Sequence, residues 1–253
     1  MHQTDSERPL AGKRALITGA SSGLGAHFSV FLASQGAQPI LVARRRERLL
    51  EVAKRVTALG VQPLVLPFDV TQVAECGALV EQAGPVDILV NNAGVVRQGP
   101  ALACTEPDWD AVMDTNVKAM FFMAQAMARS MSHQEGGSII NIASILGFRQ
   151  SGAVLSYAVS KAAVVQMTRT LALEWARHGI RVNALAPGYI DTDLNHDFWQ
   201  SPAGQALIKR IPQRRVGQAQ DLDGPLLLLA SDASRYMTGS TIVVDGGHLV
   251  SAL

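Results

Sequence analysis

Cysteine is nearly absent from this chain of 253 residues. The two present, Cys76 and Cys104, have neither metal-ligand nor redox spacing, which excludes a disulfide framework and a metal site and points to reduced thiols in the cytoplasm. A surplus of one charge is missing too. The formal net charge of +1 offers no electrostatic ground for a nucleic acid or an anionic membrane as partner. Long apolar runs are also lacking: Leu226 to Ala230 is far too short to span a bilayer, and the polar start Met1 to Pro9 has no signal-peptide core. The expectation is a soluble cytoplasmic protein.

Charged residues make up 17% and hydrophobic residues 48%, which argues against disorder and for a generous core or a subunit interface. The length suits one compact domain over 1–253, with 1–11 a flexible N-terminus and 188–217 a lid over a substrate.

Short aliphatic runs alternate with helical stretches. Strands are expected at Arg14 to Thr18, Pro39 to Ala43, Gln62 to Leu66, Val86 to Asn91, Ser138 to Ser144, Arg181 to Ala186 and Thr241 to Val244. Helices are expected near Leu24 to Gln35, Arg46 to Leu59, Val73 to Gln82, Trp109 to Ser132, Leu155 to His178 and Ala219 to Ser231. Right-handed crossovers then dictate an α/β fold, a Rossmann-type doubly wound sheet of seven parallel strands with helices on both faces.

A glycine loop, Thr18-Gly19-Ala20-Ser21-Ser22-Gly23-Leu24-Gly25, runs from the first strand straight into a helix. Glycines let the backbone turn tightly and approach a pyrophosphate, and the helix start offers free N–H groups and a positive dipole. The second strand then ends at a neutral Ala43, followed by Arg44 and Arg45, where NAD-preferring enzymes carry a carboxylate for the ribose hydroxyls. A guanidinium in that place suits a 2′-phosphate, so NADP is expected over NAD. Arg46 and Arg48 are assigned to the solvated face of the next helix, and helix solubility is the competing reading for all four arginines.

Tyr157 and Lys161 stand four residues apart in a stretch without glycine or proline, so both side chains fall on one helix face. At an effective dielectric of about 20, a unit charge about 4 Å from a phenol is worth about 4 kcal/mol, an upper bound of about three pKa units. Such a cation would bring the tyrosine toward neutrality, where a general acid/base works best. Taken alone, the pair is better read as a surface lysine beside a half-buried tyrosine on an ordinary amphipathic helix.

Together with Asn91-Asn-Ala-Gly94, Asn116, Ser144 and Pro187-Gly188, these motifs follow the order and spacing of the short-chain dehydrogenase/reductase family, which the chain resembles from Gly12 to about Gly247. The resemblance implies a hydride transfer between nicotinamide and a carbonyl or secondary alcohol. Tyr157 would act as general acid/base. Lys161 would hold the nicotinamide ribose and lower the tyrosine pKa, Ser144 would bind the substrate oxygen, and Asn116 would hold a water linking Lys161 to solvent. Asn92, Ala93 and Gly94 would line the adenosine ribose. Asp69 and Val70 would meet the adenine, with a helix N-cap as the alternative role for Asp69. Pro187, Gly188, Ile190 and Thr192 would meet the carboxamide. The stretch Arg235 to His248 resembles the strand that pairs subunits into homotetramers. The general likeness is to 3-oxoacyl-carrier-protein reductases and glucose or gluconate dehydrogenases. A catalytically silent nucleotide sensor of the same fold is the rival reading.

Three loops would choose the substrate: Val95 to Pro100, Ile145 to Gly152 and Tyr189 to Val216. Arg97 and Arg149 could bind a carboxylate or phosphate, although solvent-facing roles are the simpler expectation, as for His196.

Overall fold

The computed structural model describes residues 8–192 and 195–251. The strands are β1 (Arg14–Thr18), β2 (Gln38–Ala43), β3 (Leu64–Pro67), β4 (Ile88–Asn91), β5 (Gly137–Ile142), β6 (Ile180–Pro187) and β7 (Thr241–Val244). They form one parallel sheet in the order β3-β2-β1-β4-β5-β6-β7. The helices are α1 (Gly23–Ser34), α2 (Arg46–Thr57), α3 (Cys76–Ala83), α4 (Glu106–Met113), α5 (Met120–Met131), α6 (Leu155–Trp175), α7 (His196–Gln200), α8 (Pro202–Ile208) and α9 (Asp223–Ala230).

The central strands are buried on both faces, which is why they read as unbroken aliphatic runs. Alternation still decides which neighbour each side chain meets. Ile17, Val90 and Ile140 pack with Phe28, Leu32 and Leu226 of α1 and α9. Leu16, Leu89 and Ile139 pack with Leu79, Met127 and Leu171 of α3, α5 and α6. The strand order reverses between β1 and β4, so the carboxyl ends of these two strands frame a crevice.

Several expected boundaries move for local reasons. Strand β5 ends at Ile142, and Ser144 instead caps a 3₁₀ turn, Ile145–Gly147, by accepting from Leu146 N at 3.1 Å. The expected single helix from Trp109 to Ser132 starts earlier, where Thr105 caps it through Asp108 N, and is interrupted by a π-helical stretch, Asp114–Ala119. Of the segment expected to be loose, residues 8–11 pack down: Leu10 is buried and its N–H donates to Gln35 O at 3.0 Å. Residues 1–7 lie outside the described residues.

The expected lid carries two short helices, α7 and α8, and its two ends meet. Ile190 and Gly217 form a parallel bridge, with Asp191 N donating to Gly217 O at 2.8 Å and Gly217 N to Tyr189 O at 2.9 Å. Arg215 grips Asp221 through both terminal nitrogens at 2.6 and 3.1 Å just beyond. Among the described residues no helix is long and apolar enough to cross a membrane.

Candidate active site

A cleft of about 780 Å³ opens at the crevice between β1 and β4, within the range of small-molecule sites. Its floor is the glycine loop. Gly19 and Gly23 hold φ of 68° and 52°, the left-handed region that favours glycine, and a side chain at Gly23 would enter open space. Ser22 makes no side-chain cap, so the first N–H groups of α1 remain directed at the cleft. Ser21, Ser22 and Leu24 line it as expected.

Gly25 does not. Contrary to the expectation that it touches the nucleotide, it is buried behind the loop, where a Cβ would stand 2.2 Å from Gly19 O and 2.5 Å from Asn92 Nδ2. Its role is to let α1 approach the β1–β4 junction. Thr18 completes that junction, its hydroxyl accepting from Asn92 N at 3.0 Å and Ala93 N at 3.1 Å. The carbonyl of Thr18 takes the Asn92 amide at 3.0 Å.

At one end of the cleft Arg44 and Arg45 follow β2. Arg45 Nη2 reaches Ser21 and Ser22 hydroxyls at 3.5 Å, and Arg44 faces Asp69 across 4.0 Å with its side chain mostly exposed. Asp69 also closes a turn on Thr71, accepting from its N–H at 3.0 Å and its hydroxyl at 2.8 Å, and it lines the cleft; the helix N-cap held as its alternative role is not found, because the next helical turn, Val73–Glu75, follows Gln72 with no side-chain cap. Arg48 pairs with Glu51 along the helix, as expected of a solvated face.

At the other end Ser144, Tyr157 and Lys161 line the same wall, with Gly94, Pro187, Gly188, Ile190 and Thr192 opposite or adjacent. Lys161 is buried, its ammonium donating to Ile142 O at 2.7 Å and lying 5.5 Å from the centre of the Tyr157 ring. Burial lowers the lysine pKa to about 8. The tyrosine moves opposite to expectation: burial raises its pKa, the Ser144 hydroxyl pulls it down, and Tyr189 pushes it up again. Desolvation of the phenol is the largest of these causes, and the ammonium is fixed on a strand carbonyl. The upward shift keeps the Tyr157 phenol protonated at neutral pH.

Asn116 stands back from these three. It sits in the π-helical stretch and does not line the cleft. Its Oδ1 accepts from Val95 N at 2.8 Å, and its Nδ2 donates to Val95 O at 2.9 Å and Ser160 Oγ at 3.0 Å. Both donors are committed, leaving one lone pair for a water. The π-helical stretch is what aims the carboxamide at the loop carrying Val95.

Of the other candidates, Arg97 Nε pairs with Asp108 at 3.7 Å, and Arg149 donates to the His248 carbonyl and to Ser251 Oγ. His196 Nδ1 lies 3.1 Å from Asp191 at the lid's start. None of the three lines the cleft, whereas Phe68, Thr71 and Thr115, not singled out from sequence, do. Phe68 and Thr71 flank the Asp69-Val70 pair and were legible as its neighbours. Thr115 had no signal of its own.

Comparison with known proteins matches residues 13–203 to the family described as short chain dehydrogenase. The chain is 46% identical over 246 residues to the 2-dehydro-3-deoxy-D-gluconate 5-dehydrogenase of Dickeya dadantii, covering 95% of this chain and 96% of that one. It is 39% identical over 245 residues to the 3-oxoacyl-(acyl-carrier-protein) reductase of Thermotoga maritima, covering 95% and 99%. The crystal structure of a gluconate 5-dehydrogenase from Burkholderia cenocepacia, in complex with NADP and tartrate, superposes with a TM-score of 0.93 at 37% identity, covering 99% of this chain and 100% of that one. The seven-stranded parallel sheet thus has its counterpart in named enzymes, and the chain belongs to the short chain dehydrogenase family of oxidoreductases.

Proposed function

We propose that this protein is an NADPH-dependent carbonyl reductase, run in reverse as a secondary-alcohol dehydrogenase, with Tyr157 as its proton donor. The observation that carries the reading is the convergence of Ser144, Tyr157 and buried Lys161 on one wall of a cleft whose floor is an uncapped helix start. That floor fits a dinucleotide: Gly23 leaves open space, and the free N–H groups of α1 suit a pyrophosphate. Arg44 and Arg45 are the cations placed for a 2′-phosphate. A nicotinamide cofactor held there would supply the hydride for a carbonyl carbon.

The chain's own residues do the rest. Ser144 Oγ orients the carbonyl oxygen, and Tyr157 Oη gives it the proton as the C=O double bond becomes C–OH. The phenolate left behind is stabilised by the Lys161 ammonium until solvent returns a proton. Asn116 acts by positioning, fixing Val95 over the cleft and Ser160 behind Tyr157. Asn92, Ala93, Gly94, Asp69 and Val70 hold the adenosine half, and Pro187, Gly188, Ile190 and Thr192 the nicotinamide half.

Arg44→Asp replaces the charge that a 2′-phosphate needs. It should lower the ratio of NADPH to NADH efficiency by about tenfold or more. An unchanged ratio removes the assignment.

We also read the chain as one domain and its assembly as a homotetramer. β7 lies at the sheet border, with Val243 exposed to 37%, and an uncovered edge of this kind calls for a partner. Light scattering should give the mass of four chains, and a monomer refutes the assembly. The free thiols of Cys76 and Cys104 suit the cytoplasm.

A further inference from the structure

Apart from the Lys161 ammonium, the described residues lining the substrate end of the cleft carry no charge. Three cationic side chains line the cleft among the described residues, Arg44, Arg45 and Lys161. The arginines stand beside the glycine loop at the far end, and the Lys161 ammonium is held by the Ile142 carbonyl. Arg97 and Arg149, which border the substrate loops, are directed to Asp108 and to the C-terminal turn.

What faces a substrate instead is apolar. Val96, Leu146, Val154, Phe198 and Leu207 line this end, Val96 and Phe198 remaining 43% and 44% exposed. Among them stands Gln98, whose carboxamide has no partner among the described residues. The other amide here, Asn195, is already committed to Thr192 and Ile190. The wall is also held in shape. Ala153 takes φ of 62°, a region that a non-glycine residue occupies at a cost, and Gly99 N donates to its carbonyl at 2.9 Å. That bond ties the loop of Gln98 to the loop of Val154.

We propose that the substrate is an uncharged ketone or secondary alcohol with a partly apolar body, and that Gln98 determines this specificity by hydrogen-bonding a neutral oxygen on it. The inference rests on the reductase reading above and narrows it away from the sugar acids named in the relatives. A carboxylate moved into this apolar end gives up hydration with no cation to replace it but the Lys161 ammonium, already held by the Ile142 carbonyl. A carboxamide both donates to and accepts from a hydroxyl or carbonyl without such a loss.

The test uses the full chain with NADPH and matched pairs differing only in charge: a β-keto acid against its ethyl ester, and a keto-sugar acid against its methyl ester. The ester of each pair should have the higher kcat/KM, by about tenfold or more. Gln98→Arg should move the acid-to-ester ratio toward the acid by about tenfold, through a lower KM for the acid. Mere damage to the fold would lower both members together and leave the ratio unmoved. A wild-type preference for the acids, or a ratio unchanged in Gln98→Arg, overturns the inference while leaving the reductase intact. NADPH oxidation with no member of any pair overturns the reductase reading, and the inference with it.

Discussion

Tyr157→Phe should lower kcat/KM for carbonyl reduction by about 10²- to 10⁴-fold, the range spanned by a positioned general acid. The substitution removes one oxygen from a half-buried ring on α6 and leaves the helix and its packing in place. NADPH affinity, followed by fluorescence titration, should change little, because the glycine loop and the arginines are untouched. A variant retaining more than about a tenth of the activity rules out the tyrosine as donor.

The same measurement carries a pH signature. Burial raises the Tyr157 pKa, so the phenol stays protonated at neutrality and reduction does not wait on its protonation. Lys161 is different. Its ammonium, lowered to about 8, is charged below that pH and discharges above it, so reduction should decline as pH rises past about 8. Stability runs the other way. A lysine whose folded pKa lies below its ordinary value binds fewer protons folded than unfolded between the two, so folding should strengthen from about 8 toward the ordinary lysine range. Activity and stability moving in opposite directions over one window is the observation to seek. A reduction rate flat to strongly alkaline pH contradicts it.

Gly25→Ala should be the most damaging of the glycine-loop substitutions. Its Cβ would meet backbone, Gly19 O at 2.2 Å and Gly19 C at 2.8 Å, with Asn92 Nδ2 at 2.5 Å. Neither α1 nor β1 can yield without disturbing the Thr18 hydroxyl and its two N–H partners. We expect a loss of about 1–3 kcal/mol or more in denaturant unfolding, with NADPH affinity falling at least about tenfold as the loop shifts. Gly77→Ala is the matched comparison. Gly77 lies in α3, where an added Cβ would find nothing within 4 Å, so alanine there should stabilise by about 0.5–1 kcal/mol. Equal behaviour of the two variants would mean that close approach has no part in the Gly25 requirement.

The fold was open to reading because strands β1 and β7 announce themselves as aliphatic runs between turn residues, and the alternation with helices leaves few topologies. The pairing of Tyr157 with Lys161 was legible for a similar reason: spacing of four on a continuous helix is local geometry. What lies between distant segments was not. No local pattern says that Lys161 ends on the Ile142 carbonyl, and so the direction of the tyrosine shift could not be read from the spacing. Asn116 needed the π-helical stretch, an irregularity that periodicity smooths over, to show that it grips Val95. Gly25 looks like its neighbours in the loop, and its separate function emerges from the approach of Asn92, sixty-seven positions downstream.

The meeting of Ile190 with Gly217 has an evolutionary side. Because the segment leaves and returns at one point, secured by Arg215 on Asp221, whatever lies between can lengthen, shorten or be exchanged while β6 and β7 keep their register. The added closure entropy of a longer excursion is small, growing only with the logarithm of its length. Ser144, Tyr157 and Lys161 all lie outside this excursion, so a change in its length need not displace them.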